Sequence, residues 1–234
     1  MNDAAPRTPI WSQPERGARG PAPAHSRDEI VAAAIAIAAA DGLAAVSMRA
    51  VAARLNTGAG SLYRYLSSRD DLLDLMADRA TAGLRPYPEP DGPWMTTMLA
   101  VARAQLRLYR DHPWLLDLLN RPTAIGPESL AWFDHCLRIL QPVRVTATAK
   151  FEAIAMMIGV VSLFARNEAA APAPSFAGMD MTAYPHLTAL FAAPQPESPV
   201  VPRDLFEVTL RSVLSGLLEE TALLEETALL EETA

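Results

Sequence analysis

A single cysteine, Cys136, is all the thiol in this 234-residue chain. It excludes an internal disulfide framework and fits a reducing compartment. No uninterrupted apolar run reaches the ~18 residues that can cross a bilayer. The richest stretch, Ile154 to Ala165, is shorter and is flanked by Lys150, Glu152, Arg166 and Glu168. Met1 to Ser26 lacks the apolar core of a secretory signal. No alternating strand pattern, βαβ unit or Gly-rich phosphate loop after a strand is found. His25, His112, His135 and His186 have no metal-ligand spacing. Asp134-His135-Cys136 has the residue types of nucleophilic catalysis, but neighbours on a helix point ~100° apart and cannot form a triad with one another. These absences predict an all-α, cytoplasmic protein that is not an enzyme, needs no cofactor or metal, and has no membrane partner.

Acid is missing from one place in particular. The chain as a whole carries a formal charge of −7. Yet from Gly42 to Arg69 it holds four arginines and no Asp or Glu. The first 85 residues balance ten arginines against nine carboxylates, whereas the remainder sets ten basic residues against eighteen acidic ones. Charge distribution decides more than the total, and a basic, acid-free window suits a surface that approaches a phosphate backbone. Nineteen of the twenty basic residues are arginine, a bias we give no functional weight.

Half the residues are hydrophobic, enough for a sizeable core. Residues 1–25, rich in Pro, Gly and Arg and without apolar period, are expected to be disordered. Ser26-Arg27-Asp28-Glu29 is a capping box opening a helix with Ile30, Ala34 and Ile37 on one face. Gly42 ends it, and Ser47 caps a second helix with Val51, Ala52 and Leu55 inward. Asn56 suits a left-handed turn. A third helix runs from near Gly58 to about Tyr65, and Ser68-Arg69-Asp70-Asp71 caps a fourth. Pro86-Tyr87-Pro88-Glu89-Pro90 marks a domain boundary. Further helices are expected over Pro93–Arg110, after His112-Pro113-Trp114, over Pro127–Leu140, over Val143–Asn167 and from Arg203 on. The organisation is thus 26–85 for a first domain with its connecting helix and 86–222 for a larger second one. Residues 223–234 form a repeated tail. Leu-Leu-Glu-Glu-Thr-Ala occurs three times from Leu217 to Ala234. Six residues advance a helix by ~600°, so the leucine pairs rotate around the axis, and a heptad coiled coil is excluded.

Two short helices across a tight turn form a helix-turn-helix, whose second helix enters the major groove. Here the second helix begins Gly58-Ala59-Gly60-Ser61, small residues that permit close approach but offer little side-chain readout. Arg49 is the candidate for a bidentate guanine contact. Tyr63, Tyr65 and Arg69 are candidates for holding phosphates, which positions a protein without specifying sequence. Arg54 and Arg64 add charge.

The run Asp41-Gly42-Leu43, Ser47-Met48-Arg49-Ala50-Val51-Ala52-Ala53-Arg54-Leu55, Leu62-Tyr63-Arg64-Tyr65-Leu66 and Ser68-Arg69-Asp70-Asp71-Leu72-Leu73 resembles the TetR (tetracycline-repressor-like) family of bacterial regulators. The resemblance covers about residues 26–80. His112-Pro113-Trp114-Leu115 and Gly126-Pro127-Glu128 resemble parts of the larger domain in one branch. It implies an all-helical, homodimeric, ligand-responsive repressor bound to a near-palindromic double-stranded DNA operator. By the same resemblance Met48, Arg49, Gly58, Ala59 and Gly60 face bases, and Ser61, Tyr63, Tyr65 and Arg69 face phosphates; Ser47 belongs to the same DNA-binding set. The chain departs from the family at Asn56, Thr57 and Gly60. It also implies that the Val143–Asn167 and Arg203–Leu217 helices form a four-helix dimer interface. A small-molecule effector would sit among the helices from Pro93 to Asn167, with Met98, Trp132, Phe133, Phe151 and Met156 as candidate contacts. The large apolar and aromatic side chains there suit an apolar or aromatic ligand. A small-molecule-binding helical protein without DNA binding, or an enzyme, are the competing readings.

Overall fold

The computed structural model describes residues 8–12, 25–119, 121, 124–168, 181, 183–192 and 204–232. The described residues form helices α1 (Arg27–Asp41), α2 (Met48–Arg54), α3 (Ala59–Leu62), α4 (Arg69–Thr81), α5 (Trp94–Asp111), α6 (Leu115–Leu118), α7 (Pro127–Ile139), α8 (Ala147–Glu168), α9 (Pro185–Ala192) and α10 (Leu205–Glu232), with no strand among them. Short 3-10 turns occupy Ile10–Ser12, Leu43–Ala45 and Ala82–Leu84.

The first domain is a three-helix head carried on α4. Ser26 Oγ accepts from the Glu29 amide at 3.1 Å, and Glu29 returns a carboxylate oxygen to the Ser26 amide at 2.8 Å. The helix so started packs on α2 and α4 and buries Ile30 and Ala34 in the core that also holds Val51, Leu62 and Leu66. It stops at Gly42, whose φ of 80° any side chain would resist. Asn56 takes the turn at φ 52°, as its short polar side chain allows. The regular part of α3 is shorter than its sequence suggests. It ends at Leu62 and passes into turns in which Arg64 and Tyr65 donate to Ser61 and Leu62 carbonyls.

Helix α4 belongs to both domains. Its own capping box joins Ser68 and Asp71, and the same Asp71 carboxylate accepts from the Ser67 amide at 2.9 Å. Leu72, Leu73 and Met76 are fully buried, each contributing roughly 1.5–3 kcal/mol by leaving water. α4 packs on α1 in the head and on α6 and α7 in the second domain. There α8 packs on both α5 and α10, which also touch each other. Arg103 of α5 grips the start of α10 through Asp204 at 2.5 Å and Glu207 at 2.7 Å. α8 begins at Ala147, after Val143, because turns hold Leu140 to Val145 and Thr146 caps the helix through the Ala149 amide.

The expectation of a disordered extension over 1–25 fails at residues 8–12. Pro9 to Ser12 close a 3-10 turn, and Ile10 is completely buried beside α4. One isoleucine in a Pro/Gly/Arg-rich stretch has no period to betray it. Residues 1–7 and 13–24 lie outside the described residues, as do the Ala169–Phe176 and Pro194–Pro202 segments. The α10 backbone runs unbroken through the repeats to Glu232.

The interdomain linker packs back on α7. Tyr87 stacks on His135 with ring centroids 4.7 Å apart, and Arg138 lies 3.1 Å from His135 Nδ1. Burial first, then the Arg138 charge, hold the imidazole below its ordinary pKa of 6.5. The unfolded chain takes up this proton more readily than the folded one. The contact therefore adds stability above about pH 6.5 that is lost as pH falls below that value. We predict a urea midpoint that declines between roughly pH 7 and 5.5, with the decline reduced in His135→Gln. An unaltered pH profile in that variant contradicts the assignment.

Candidate nucleic-acid interface and effector cavity

Ser47 starts α2 by accepting the Ala50 amide at 3.1 Å. Arg49 follows it on the solvent side, exposed together with Arg54, Gly58, Gly60, Tyr63 and Arg64. Tyr63 is 53% exposed, the behaviour of a side chain with nothing of its own fold to cover it. Ala59, Ser61 and Tyr65 are half-buried at the same edge. Among the described residues Arg49, Arg54 and Arg64 form no ion pair, so their charge is uncompensated on one face.

Met48 stands elsewhere than expected, and Arg69, exposed as expected, also has a structural role. Met48 is turned into the core. It shares the inward face of α2 with Val51 and Ala52, three and four positions on, and its side chain is not presented at the surface. Arg69 is a strap: its Nε donates to the Val46 carbonyl at 2.8 Å and its Nη2 to the Leu43 carbonyl at 3.3 Å. Arg27 does the same across the head, donating from Nε to the Tyr65 carbonyl at 3.0 Å. These arginines satisfy carbonyls that end short turns. Nothing in their sequence position distinguishes a strap from a free cation.

The second domain holds a cavity of about 340 Å³. α4 supplies Asp74, Ala77, Asp78 and Thr81 to its wall, α5 supplies Gln105, Leu108 and Tyr109, and α7 supplies Ser129, Trp132 and Phe133. Of the five effector candidates, Trp132 and Phe133 line it. Met98 is buried in the core away from it, while Phe151 and Met156 are exposed on α8 at 50% and 52%. Helical spacing alone cannot say which face of an apolar helix meets a cavity. Gln105 Nε2 donates to the Tyr109 hydroxyl at 2.9 Å, and burial pushes that phenol up to about 12. Gln105 Oε1 and Trp132 Nε1 are buried with no hydrogen-bond partner among the described residues. Orphaned groups of this kind cost about 1–3 kcal/mol each. The Cys136 thiol is buried and pushed up to about 12, which makes it inert.

Cavity and head meet at α4. The Asp78 carboxylate accepts the amides of Glu128 and Ser129, both at 3.0 Å, and so caps α7 from another helix. Arg121 pairs with Asp70, and Arg85 with Glu128 at 2.7 Å. The sequence gives Gly126-Pro127-Glu128 as a helix start but not the donor of its cap.

A three-helix head exposing unpaired arginines, joined through one helix to a cavity-bearing helical domain, defines a two-domain helix-turn-helix protein. Residues 30–76 match the model of bacterial regulatory proteins of the tetR family, and residues 85–221 match that of the tetracyclin repressor-like C-terminal domain. The chain belongs to the TetR family. The HTH-type transcriptional repressor DrrR1 of Streptomyces coeruleorubidus is 40% identical over 163 residues, which is 68% of this chain and 59% of that one. An HTH-type transcriptional regulator of Saccharopolyspora erythraea is 37% identical over 123 residues, 52% of this chain and 51% of that one. The matches thus span little more than half the length of these curated relatives. Among solved structures, apo ActR of Streptomyces coelicolor is 27% identical with a TM-score of 0.68, covering 86% of this chain and 97% of that one. ActR in complex with actinorhodin gives 25%, 0.69, 84% and 97%.

Arg69→Ala is predicted to destabilise the head by about 1.5–3 kcal/mol, the worth of a charged donor on backbone carbonyls. Arg49→Ala should leave stability within about 0.5 kcal/mol. Chemical denaturation of both variants checks this; equal midpoints remove the strap.

Proposed function

We propose that the chain is a homodimeric, ligand-responsive transcriptional repressor that reads a near-palindromic operator. The observation that carries this is α4, which builds the head's core, walls the cavity and caps α7 with one carboxylate. A ligand that displaces α7 acts on the head through that helix.

Base reading falls to Arg49 and to the backbone of Gly58-Ala59-Gly60, with Tyr63, Ser61 and Tyr65 at the phosphates. With so little side chain in the first turn of α3, DNA shape supplies part of the specificity. The support for a dimer lies on α8. This helix is apolar and long enough to cross a membrane by composition, with only 28% of that window buried. Its inner face, with Ile154, Met157 and Val161, is fully covered by the chain. Its outer face carries Phe151, Ala155, Met156, Gly159 and Leu163, exposed at steps of about one turn. No atom stands within 4 Å of a Cβ built on Gly159, so a second helix can approach there. A second copy of α8 and α10 covers this stripe and orders two heads for two half-sites. The effector is an apolar or aromatic small molecule, matching the walls of Trp132 and Phe133. ActR is solved in complex with actinorhodin and with (S)-DNPA, which supports a small-molecule effector.

Gel shift against the DNA upstream of the chain's own reading frame tests the reading. Binding is expected to weaken steeply with salt and to prefer one sequence; its absence overturns the proposal. Arg49→Ala should cost about 1–3 kcal/mol and relax base preference. Tyr63→Phe should weaken all sequences alike. Met156→Glu with Leu163→Glu should yield a monomer in light scattering, and a persisting dimer would place the interface elsewhere.

A further inference from the structure

The N-terminal segment raises a question that the regulator reading leaves unanswered. Most of its neighbours in sequence have no apolar character, yet Ile10 is completely buried and Trp11 packs on the core. The turn is self-closed, with the Ser12 amide and hydroxyl donating to the Pro9 carbonyl at 3.1 and 2.8 Å. It is therefore a compact plug that needs no continuation into helix.

The plug sits on the seam between α4 and α7. A Cβ built on Gly126 would lie 2.4 Å from Trp11 Cζ2 and 2.3 Å from both Cγ and Oδ1 of Asp78. Gly126 has φ −91°, a conformation open to any residue. The glycine is thus required by space: only a bare backbone lets the indole and the carboxylate meet there. The carboxylate in question is the one that caps α7 through Glu128 and Ser129. Asp78 and Ser129 also line the cavity, whereas Trp11 does not. The segment therefore braces the seam without occupying the cavity.

We propose that the α4–α7 seam is a binding site for the chain's own residues 9–12, and that this segment is a latch on the joint between head and effector domain. Docked, Ile10 fixes the segment to α4 and Trp11 seals Gly126 over the Asp78 cap, so α4 and α7 move as one body. Released, the cap is open to water and the head swings independently of α7. The inference rests on the two-domain reading of the fold but not on the identity of any ligand or operator.

Amide hydrogen exchange on the full chain tests it without DNA or effector. In Ile10→Asp and in Trp11→Ala, the Glu128 and Ser129 amides should exchange at least tenfold faster, with Ile30 to Leu62 unchanged. Trp11→Phe, which keeps an aromatic wedge, should restore most of the protection. Unaltered exchange at the two amides in both variants overturns the latch. An equal acceleration throughout Ile30 to Leu62 also overturns it, because it marks a general loss of stability. These outcomes are separate from any failure to bind DNA, which would sink the regulator reading alone.

Discussion

The Asp78 carboxylate accepts the first two free amides of α7 at 3.0 Å each while being carried on α4. A helix N-terminus has amides without intrahelical partners and a partial positive charge. α7 opens on Gly126-Pro127, with no side-chain cap of its own. Its first turn is completed by a residue fifty positions earlier, in the helix that carries the head. Moving α7 without α4 leaves a buried carboxylate and two amides unsatisfied, a loss of about 1.5–3 kcal/mol per charged hydrogen bond. Typical allosteric coupling energies are about 1–3 kcal/mol, so this one joint is large enough to carry the coupling in the proposed repressor. The Arg121–Asp70 and Arg85–Glu128 pairs brace it at either end of α4, but both have solvent-exposed partners and contribute less.

The head shows a division of labour among arginines that look alike in sequence. Arg27 and Arg69 hold backbone carbonyls and fix the angle between turns. Arg49, Arg54 and Arg64 keep their charge at the surface. Strapping arginines make the head rigid without adding carboxylates, which leaves the window from Gly42 to Arg69 free of acid. A phosphate-facing surface needs that freedom, since an acidic partner would cancel the field that draws it to DNA.

Much of this was legible in the sequence, and for identifiable reasons. Capping boxes at Ser26 and Ser68, the Asn56 turn and the Gly42 stop are local chemistry, and local chemistry is written in consecutive residues. The helix-turn-helix and the Pro127 helix start followed from the same signals. Long-range roles were not legible. Nothing adjacent to Asp78 reveals that it caps a helix fifty residues away, and nothing near Arg69 reveals its two carbonyls. Met48, Met98, Phe151 and Met156 lie outside their expected places because an apolar residue looks the same whether it faces a core, a cavity or solvent. Ile10 was missed because a plug of four residues has no period to detect.

In the proposed repressor, α4 transmits the position of α7 to the head. The direct measurement is the distance between the two heads of the proposed dimer, read by spin labels on Arg64→Cys; the native Cys136 is buried. With Asp78 intact the distribution should be narrow. Asp78→Ala should broaden it markedly while the dimer persists. An equally narrow distribution in Asp78→Ala would contradict the claim that this carboxylate is the joint.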